Sequence, residues 1–344
     1  MSLFALITAL LLEQFHPLSS RNILFNWVSG YTSYFQQNFN AGEHRHGRIA
    51  WFVTAVPLVA GSMAVYWLLY RVHPVFAWAF NVLVLYLTMG FRQFSHYFTD
   101  IHLALRTDKL DEARDLLSLW VGMPAHELNA EEVARVTIEQ ALIASQRNVF
   151  GVIVWFVLFS ALGLGGAAGA LLYRMGQFLR THWGGEGNTI GYSPLESGSA
   201  SFQNDLPASS ETFDGNDRDN PELEEFGRFS RQAFFVLEWL PIRLTAMTFA
   251  VVGNFEDTIH CWRAQAASWP DPEAGILLAS GAGAMGVRLG MPLSQDGVLK
   301  NRAVLGIGDE ADVDHMQSAI GLVWRSVVFW LVLLLLLSLA SLLN

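Results

Sequence analysis

Residues Trp269 to Pro292 read WPDPEAGILLASGAGAMGVRLGMP, with no charge between Glu273 and Arg288. Small residues dominate the run, at Ala274, Gly275, Ala279, Gly281, Ala282, Gly283, Ala284 and Gly286. Such a segment buries little apolar area per residue, and each helical glycine costs about 1 kcal/mol relative to alanine. A chain that keeps it needs close backbone approach, either to another helix or to a ligand. Pro270 and Pro272 mark the entry, with Asp271 and Glu273 suited to a helix start. Arg288, Gly290 and Pro292 mark the exit. Two readings of Arg288 stay open: a guanidinium that forks onto a phosphate or carboxylate, or one that caps the C-terminus of its own tightly packed helix.

Composition sets the surroundings. Of 344 residues, 52% are hydrophobic and 15% charged, with a mean hydropathy of +0.31. Soluble domains carry roughly 25% charged residues, so the expectation is an all-α, polytopic helical membrane protein with cytoplasmic helical segments and one disordered loop. A net charge of -10 and the lack of a clustered basic patch argue against nucleic acid as a partner. The single cysteine, Cys261, allows no disulfide framework and no CxxC metal site. The N-terminus lacks a basic stretch and an A-x-A site, so no cleaved signal peptide is expected.

Along the chain, Leu3 to Leu12 is apolar and ends at Glu13. The segment crosses a membrane only if Glu13 and His16 face protein, and otherwise dips into its surface with Glu13 in water. The aromatic stretch from Arg21 to Arg48 suits an interfacial connection. Ile49–Tyr70 and Pro74–Gly90 read as spans joined in a hairpin, and Arg45, Arg48 and Arg92 place its flanks in the cytoplasm. Phe91 to Arg147 reads as amphipathic cytoplasmic helices broken at Pro124, with Asn129 and Glu132 as an N-cap and its partner. Val149–Tyr173 reads as a third span with a Gly165/Gly169 packing pair. Arg174 and Arg180 after it then fall on the outer side, against the positive-inside rule; a re-entrant or tilted segment would remove that conflict.

Gly184 to Asp219 is rich in Gly, Ser, Asn, Asp and Pro and is expected to be disordered. Phe226 to Gly253, interrupted at Pro241, reads as a kinked surface helix or a broken segment lining a cavity. Asn301 to Asp314 reads as a loop, and Trp324–Leu342 as the last span. The organisation expected is therefore 1–183, a membrane and helical region; 184–223, an acidic linker; and 224–344, the glycine–arginine block and final span. No Walker A loop, GxSxG, HExxH or dinucleotide fingerprint is present. The cluster His44-Arg45-His46 reads as a positive membrane flank.

The block Asp271-Pro272-Glu273-Ala274-Gly275, followed by Gly281 to Gly290, resembles the C-terminal signature of the CobD/CbiB family of cobalamin biosynthesis, S-P-N-A-G then A-x-A-G-A-L-G-V-R-L-G-G-P. Phe226-Gly227 and Leu240-Pro241-Ile242-Arg243-Leu244-Thr245-Ala246 resemble the family's F-G and I-P-A-R-L-T-A segments, and Glu13 with His16-Pro17 resembles its acidic residue and H-P pair. The resemblance implies a multi-pass protein of the bacterial inner membrane that joins an aminopropanol or its phosphate to the carboxylate of adenosylcobyric acid, with ATP and magnesium as cofactors. On that reading Arg243 and Arg288, with Thr245, Gly283 and Gly286, hold phosphate or corrinoid carboxylates. Glu13, Glu256 and Asp257 are the acids for metal or base work. No residue is assigned as catalytic. The expected partners are a corrinoid-like small molecule and membrane lipid; self-association is left open.

The chain departs from the family pattern at several acids. Aligned on Gly151, Gln146, Arg147 and Phe150 stand where the S-V-A-E-N-x-x-D-G block has Glu, Asn and Asp, and Phe234-Phe235 replaces an acidic pair. A ligase needs carboxylates to hold magnesium on phosphates. The segment Glu238 to Leu244 is also similar to the D-W-V-P-V-R-L of AmpE proteins, inner-membrane proteins linked to control of β-lactamase induction. That similarity implies the alternative, a non-catalytic signalling or binding protein that retains an anion pocket.

Overall fold

The computed structural model describes residues 2–15, 30–32, 44–183, 221–295 and 298–343. His16-Pro17, most of the 21–48 connection and most of the linker expected at 184–223 lie outside the described residues. So do the side chains of His44, Arg45 and His46. The frame is helical, in the order α1 (Ser2–Phe15), α2 (His44–Val72), α3 (Pro74–Thr88), α4 (Phe91–Arg106), α5 (Leu110–Val121), α6 (Ala130–Ser145), α7 (Gly151–Ala161), α8 (Gly166–Trp183), α9 (Pro221–Val252), α10 (Phe255–Gln265), α11 (Pro272–Met285) and α12 (Val313–Leu343). A π-helical turn, Gln146–Phe150, joins α6 to α7.

Among the described residues, four helical stretches are long and apolar enough to cross a bilayer: Gly47–Val72, Ala130–Ala161, Gly227–Val252 and Val313–Ala340. Their outer faces show exposed apolar side chains, such as Phe52, Val56 and Leu68 on α2 and Val328, Val332 and Leu336 on α12. Faces of this kind require lipid rather than water. The protein is thus a polytopic helical membrane protein. Three expected boundaries change. The span expected at 149–173 is the end of a continuous helical stretch from Ala130 to Ala161, followed by a turn and α8. The segment around Pro241, expected as interrupted, is part of one continuous helix, α9, of spanning length. The helical region after Phe91 is divided into three helices rather than two.

The contacts divide the chain into two compact units. The first holds α1 to α3, the π turn from Arg147, α7, α8 and α9 as far as Pro241. Leu3, Ala5, Leu6, Ala9 and Glu13 form the buried face of α1, so Glu13 faces protein and not water. Ala50, Trp51 and Ala55 of α2 pack with Met175, Leu179 and Trp183 of α8 and Leu237 of α9. The Asn81 side chain accepts a hydrogen bond from Ala167 N–H at 3.1 Å, which satisfies an orphan donor in the first turn of α8. Pro241 has no N–H to give the Leu237 carbonyl four residues back; the Trp155 indole N–H donates to that carbonyl instead, at 3.0 Å. Between α7 and α8 the chain reverses through Gly163 and Gly165, whose φ values of 70° and 88° lie in the left-handed region. The reversal returns Arg174 to Asn148, which accepts from it at 2.8 Å, so α7 and α8 are not the single outward-running span that put Arg174 and Arg180 on the outer side.

The second unit holds α4 from Gln93 to α6, α9 from Ile242, α10, α11, the strands and α12. The capping box expected at α6 is present: the Asn129 side chain accepts from Glu132 N–H and the Glu132 carboxylate accepts from Asn129 N–H, both at 2.8 Å. The small residues of α11 are used for helix approach. A Cβ at Gly283 would lie 2.6 Å from the Asp257 carbonyl oxygen of α10, and one at Gly281 would lie 2.7 Å from Leu142 of α6. Gly286, at φ 71°, ends α11 as its C-cap, so Arg288 does not cap the helix. It lies instead on β1 (Val287–Gly290). β2 (Leu293–Gln295) and β3 (Val298–Lys300) form an antiparallel pair. β4 (Val304–Gly306) and β5 (Asp309–Glu310) flank β1, antiparallel and parallel respectively. The residues expected as a loop at 301–314 therefore include two strands of the β1 sheet.

One buried ion pair ties this sheet to α6. The Glu139 carboxylate accepts from Arg302 at 2.8 Å and 3.2 Å and from Gly290 N–H at 2.8 Å. Arg302 also donates to the Gly290 and Met291 carbonyls, and its guanidinium lies 5.4 Å from the Trp269 ring centroid. Both side chains are buried to within 2%. Glu139→Leu or Arg302→Leu alone is expected to destabilise by about 3–5 kcal/mol, because each strands the other charge; the double substitution is expected to recover most of that loss. Thermal unfolding of the purified full-length protein checks both.

Candidate functional site

Arg243 leaves α9 two residues after Pro241. It meets Glu273, on the first turn of α11, at 3.5 Å from each carboxylate oxygen. Glu273 is buried, and its helix start is held by Asp271, whose side chain accepts from Glu273 and Ala274 N–H. Burial pushes the Glu273 carboxyl above its ordinary 4.5, while the neighbouring Arg243 cation pulls the other way without cancelling it. Thr245, two residues beyond Arg243 on α9, is fully buried, and its hydroxyl has no hydrogen-bond partner among the described residues.

Arg288 stands at the other end of α11. Strand register places it opposite Glu310, and the two side chains pair at 3.6 Å while remaining 41% and 44% exposed. The Arg288 Nε is buried without a hydrogen-bond partner among the described residues. At 1.5 Å per residue, about 20 Å of helix separates Glu273 from Gly286. Arg243 and Arg288 thus each have their own carboxylate, at opposite ends of one small-residue helix.

The other residues read from sequence occupy defined positions. Gly283 packs α11 on the backbone of Asp257 and Thr258. Gly286 is the helix cap. Glu256 is exposed on the first turn of α10. Asp257 beside it accepts from the Asn254 side chain, which in turn accepts from Asp257 N–H. Glu13 is buried in the first unit.

The sequence reading missed a second group of charges, in the first unit. Glu238 of α9 is buried and faces Arg147 at 3.8 Å and Arg180 at 3.6 Å. Arg174 donates to Asn148 at 2.8 Å and to Gln177 at 2.7 Å. The Tyr173 ring lies against Gly151, where a Cβ would overlap it, and its centroid is 5.6 Å from that of the Phe234 ring, tilted by 41°. Arg147 and Glu238 come from two stretches of spanning length. Ionisable residues at that depth are costly and mark function by default. The signal in the sequence is Arg147, the one arginine in the largely apolar stretch between Val136 and Phe159.

Four stretches of spanning length, with arginine–carboxylate pairs inside the helical frame, define a polytopic helical membrane protein. The family profile described as CobD/Cbib protein matches residues 4–190 and 218–323, and the chain belongs to the CobD/CbiB family. It is 31% identical over 304 residues to the cobalamin biosynthesis protein CobD of Stutzerimonas stutzeri (strain A1501), covering 87% of this chain and 86% of that protein. It is 30% identical over 249 residues to CobD of Chromobacterium violaceum, covering 72% of this chain and 67% of that protein. Against the cobalamin biosynthesis protein CbiB of Salmonella typhimurium (strain LT2) identity is 25% over 299 residues, covering 83% of this chain and 81% of that protein. No solved structure matches the chain.

The raised Glu273 carboxyl carries a pH signature. Its folded value lies above the ordinary 4.5, so its stabilising contribution is complete below pH 4.5 and is lost as the pH rises through the folded value. The melting temperature of the wild type is expected to fall relative to that of Glu273→Gln across this window, as measured in parallel pH series.

Proposed function

We propose that the chain acts in cobalamin biosynthesis at the bacterial inner membrane, joining an aminopropanol or its phosphate to a carboxylate of adenosylcobyric acid. The observation that carries this reading is the pair of arginines at the two ends of α11, both within the residues matched by the family. A half-exposed ion pair such as Arg288–Glu310 is worth about 0–1 kcal/mol. Arg288 can therefore exchange Glu310 for a ligand carboxylate or phosphate at small cost, and its planar fork suits either. Arg243 and Thr245 offer a second polar point at the far end of the helix. A separation of about 20 Å favours a large ligand with several acidic groups, as a corrinoid is, over a small one.

Amide formation from a carboxylate needs that carboxylate activated, and the family resemblance brings ATP and magnesium for this purpose. Magnesium is commonly held by one or two protein carboxylates together with phosphate oxygens and waters. Among the described residues no three His, Cys, Asp or Glu side chains cluster for a metal. Glu256 and Asp257, adjacent on the first turn of α10, are the described carboxylates that fit such a role. They suit a magnesium that arrives on its nucleotide rather than a resident ion.

Expression in a bacterium lacking its own CobD/CbiB enzyme tests the reading. Cobalamin-dependent growth on a cobyric acid precursor is expected with the wild type and is expected to be lost with Arg288→Ala. Absence of growth from a well-expressed, membrane-inserted wild type would overturn the catalytic reading and favour the AmpE-like, non-catalytic one.

A further inference from the structure

The geometry points to a buried oxyanion site in the first unit, formed by Arg147, Tyr173 and Gln177 and suited to a phosphate group. Arg147 leaves the π turn with its side chain 12% exposed, and its nearest carboxylate oxygen, on Glu238, is 3.8 Å from Nε. A guanidinium carries five N–H donors, and Arg147 has no hydrogen bond among the described residues. Tyr173 is wholly buried, and its hydroxyl has no partner there. Gln177 is 3% exposed; its amide oxygen accepts from Arg174, while its amide nitrogen has no acceptor among the described residues.

The hydroxyl end of Tyr173 lies against Gly151, one helical turn beyond Arg147. The charges of Glu238, Arg147, Arg174 and Arg180 all act on that hydroxyl. Gln177 lies one turn beyond Tyr173 on α8. A buried donor without an acceptor costs about 1–3 kcal/mol, and a guanidinium cannot escape its charge by losing a proton. Donors from α8 and from the π turn, set among three arginines and the carboxylate of Glu238, match a tetrahedral anion that accepts in several directions. A π turn inside a longer helix is itself a frequent mark of a functional position. The site stands without the cobalamin reading, since none of its three donors belongs to Arg243, Arg288 or α11.

The test uses the full-length protein in phosphatidylcholine nanodiscs, titrated with inorganic phosphate and followed by calorimetry and thermal unfolding. Saturable binding with stabilisation is expected. Arg147→Gln is expected to weaken it by at least about tenfold, and Arg106→Gln, at an exposed arginine paired with Asp314, to leave it unchanged. Tyr173→Phe removes only the unpartnered hydroxyl. It is expected to raise the melting temperature without phosphate and to weaken phosphate binding several-fold, a combination that a purely structural role would not give. A response seen only when phosphatidylglycerol replaces part of the lipid assigns the site to a headgroup phosphate; a response to inorganic phosphate in neutral lipid assigns it to a soluble phosphate compound. No saturable response to either, or a response unchanged in Tyr173→Phe, overturns the proposal, and Tyr173→Phe decides alone if Arg147→Gln does not fold.

Discussion

The pair between Glu139 and Arg302 is the constraint on which the second unit depends. A carboxylate and a guanidinium removed from water are tolerated only when nearly every polar atom finds a partner. Here Glu139 accepts from Arg302 and from the Gly290 backbone, and Arg302 in turn satisfies the Gly290 and Met291 carbonyls. The short sheet that carries Arg288 buries Val287, Leu289 and Leu305. The charge pair, backed by Trp269 near the guanidinium, adds the polar tie between this sheet and α6. The glycines that follow are consequences: Gly290, at φ 74°, and Gly306, at φ 95°, occur where a side chain would overlap the Ala303 or Val287 backbone.

The same requirement operates in the first unit, where polar groups lie within helices of spanning length. At that depth every backbone group must be satisfied within the protein. Pro241 interrupts the hydrogen-bond ladder of α9, yet the helix continues, because the Trp155 indole takes over the carbonyl the proline cannot serve. Asn81 does the equivalent for the first turn of α8. The π turn places Arg147 and Asn148 where Glu238 and Arg174 reach them. Packing and polar satisfaction are thus solved by the same side chains, and aromatic residues act as hydrogen-bond donors as well as filler.

Much of this was legible in the sequence, for identifiable reasons. The small-residue run from Ala274 to Gly286 announced close backbone contact, and the structure supplies it through Gly281 and Gly283. Asn129 and Glu132 announced a helix start because their chemistry is local. Residues that pair over long separations were not legible. Glu139 and Arg302 are 163 positions apart, and nothing in either neighbourhood names the other. Arg288 was recognised as a ligand candidate, but Glu310 follows only from strand register, and the strands are too short to show a period of two. The expected span at 149–173 failed because hydropathy does not register a reversal at Gly163 and Gly165. The outward arginines that resulted were the clue that the assignment was incomplete.

The turn at Gln146–Phe150 has a further meaning as a change of phase. An α-helix advances about 100° per residue, and a π turn accommodates one additional residue without breaking the helix. The extra residue is absorbed in the wider turn, so the sequence spacing of like-facing positions slips by one residue between α6 and α7 while the helix runs on. A stretch that hydropathy reads as one uniform rod thus faces two different sets of neighbours along its length. Removing a single residue here would let the turn close to ordinary α spacing, leaving composition and helicity almost untouched while losing the side-chain placement that the wider turn provides.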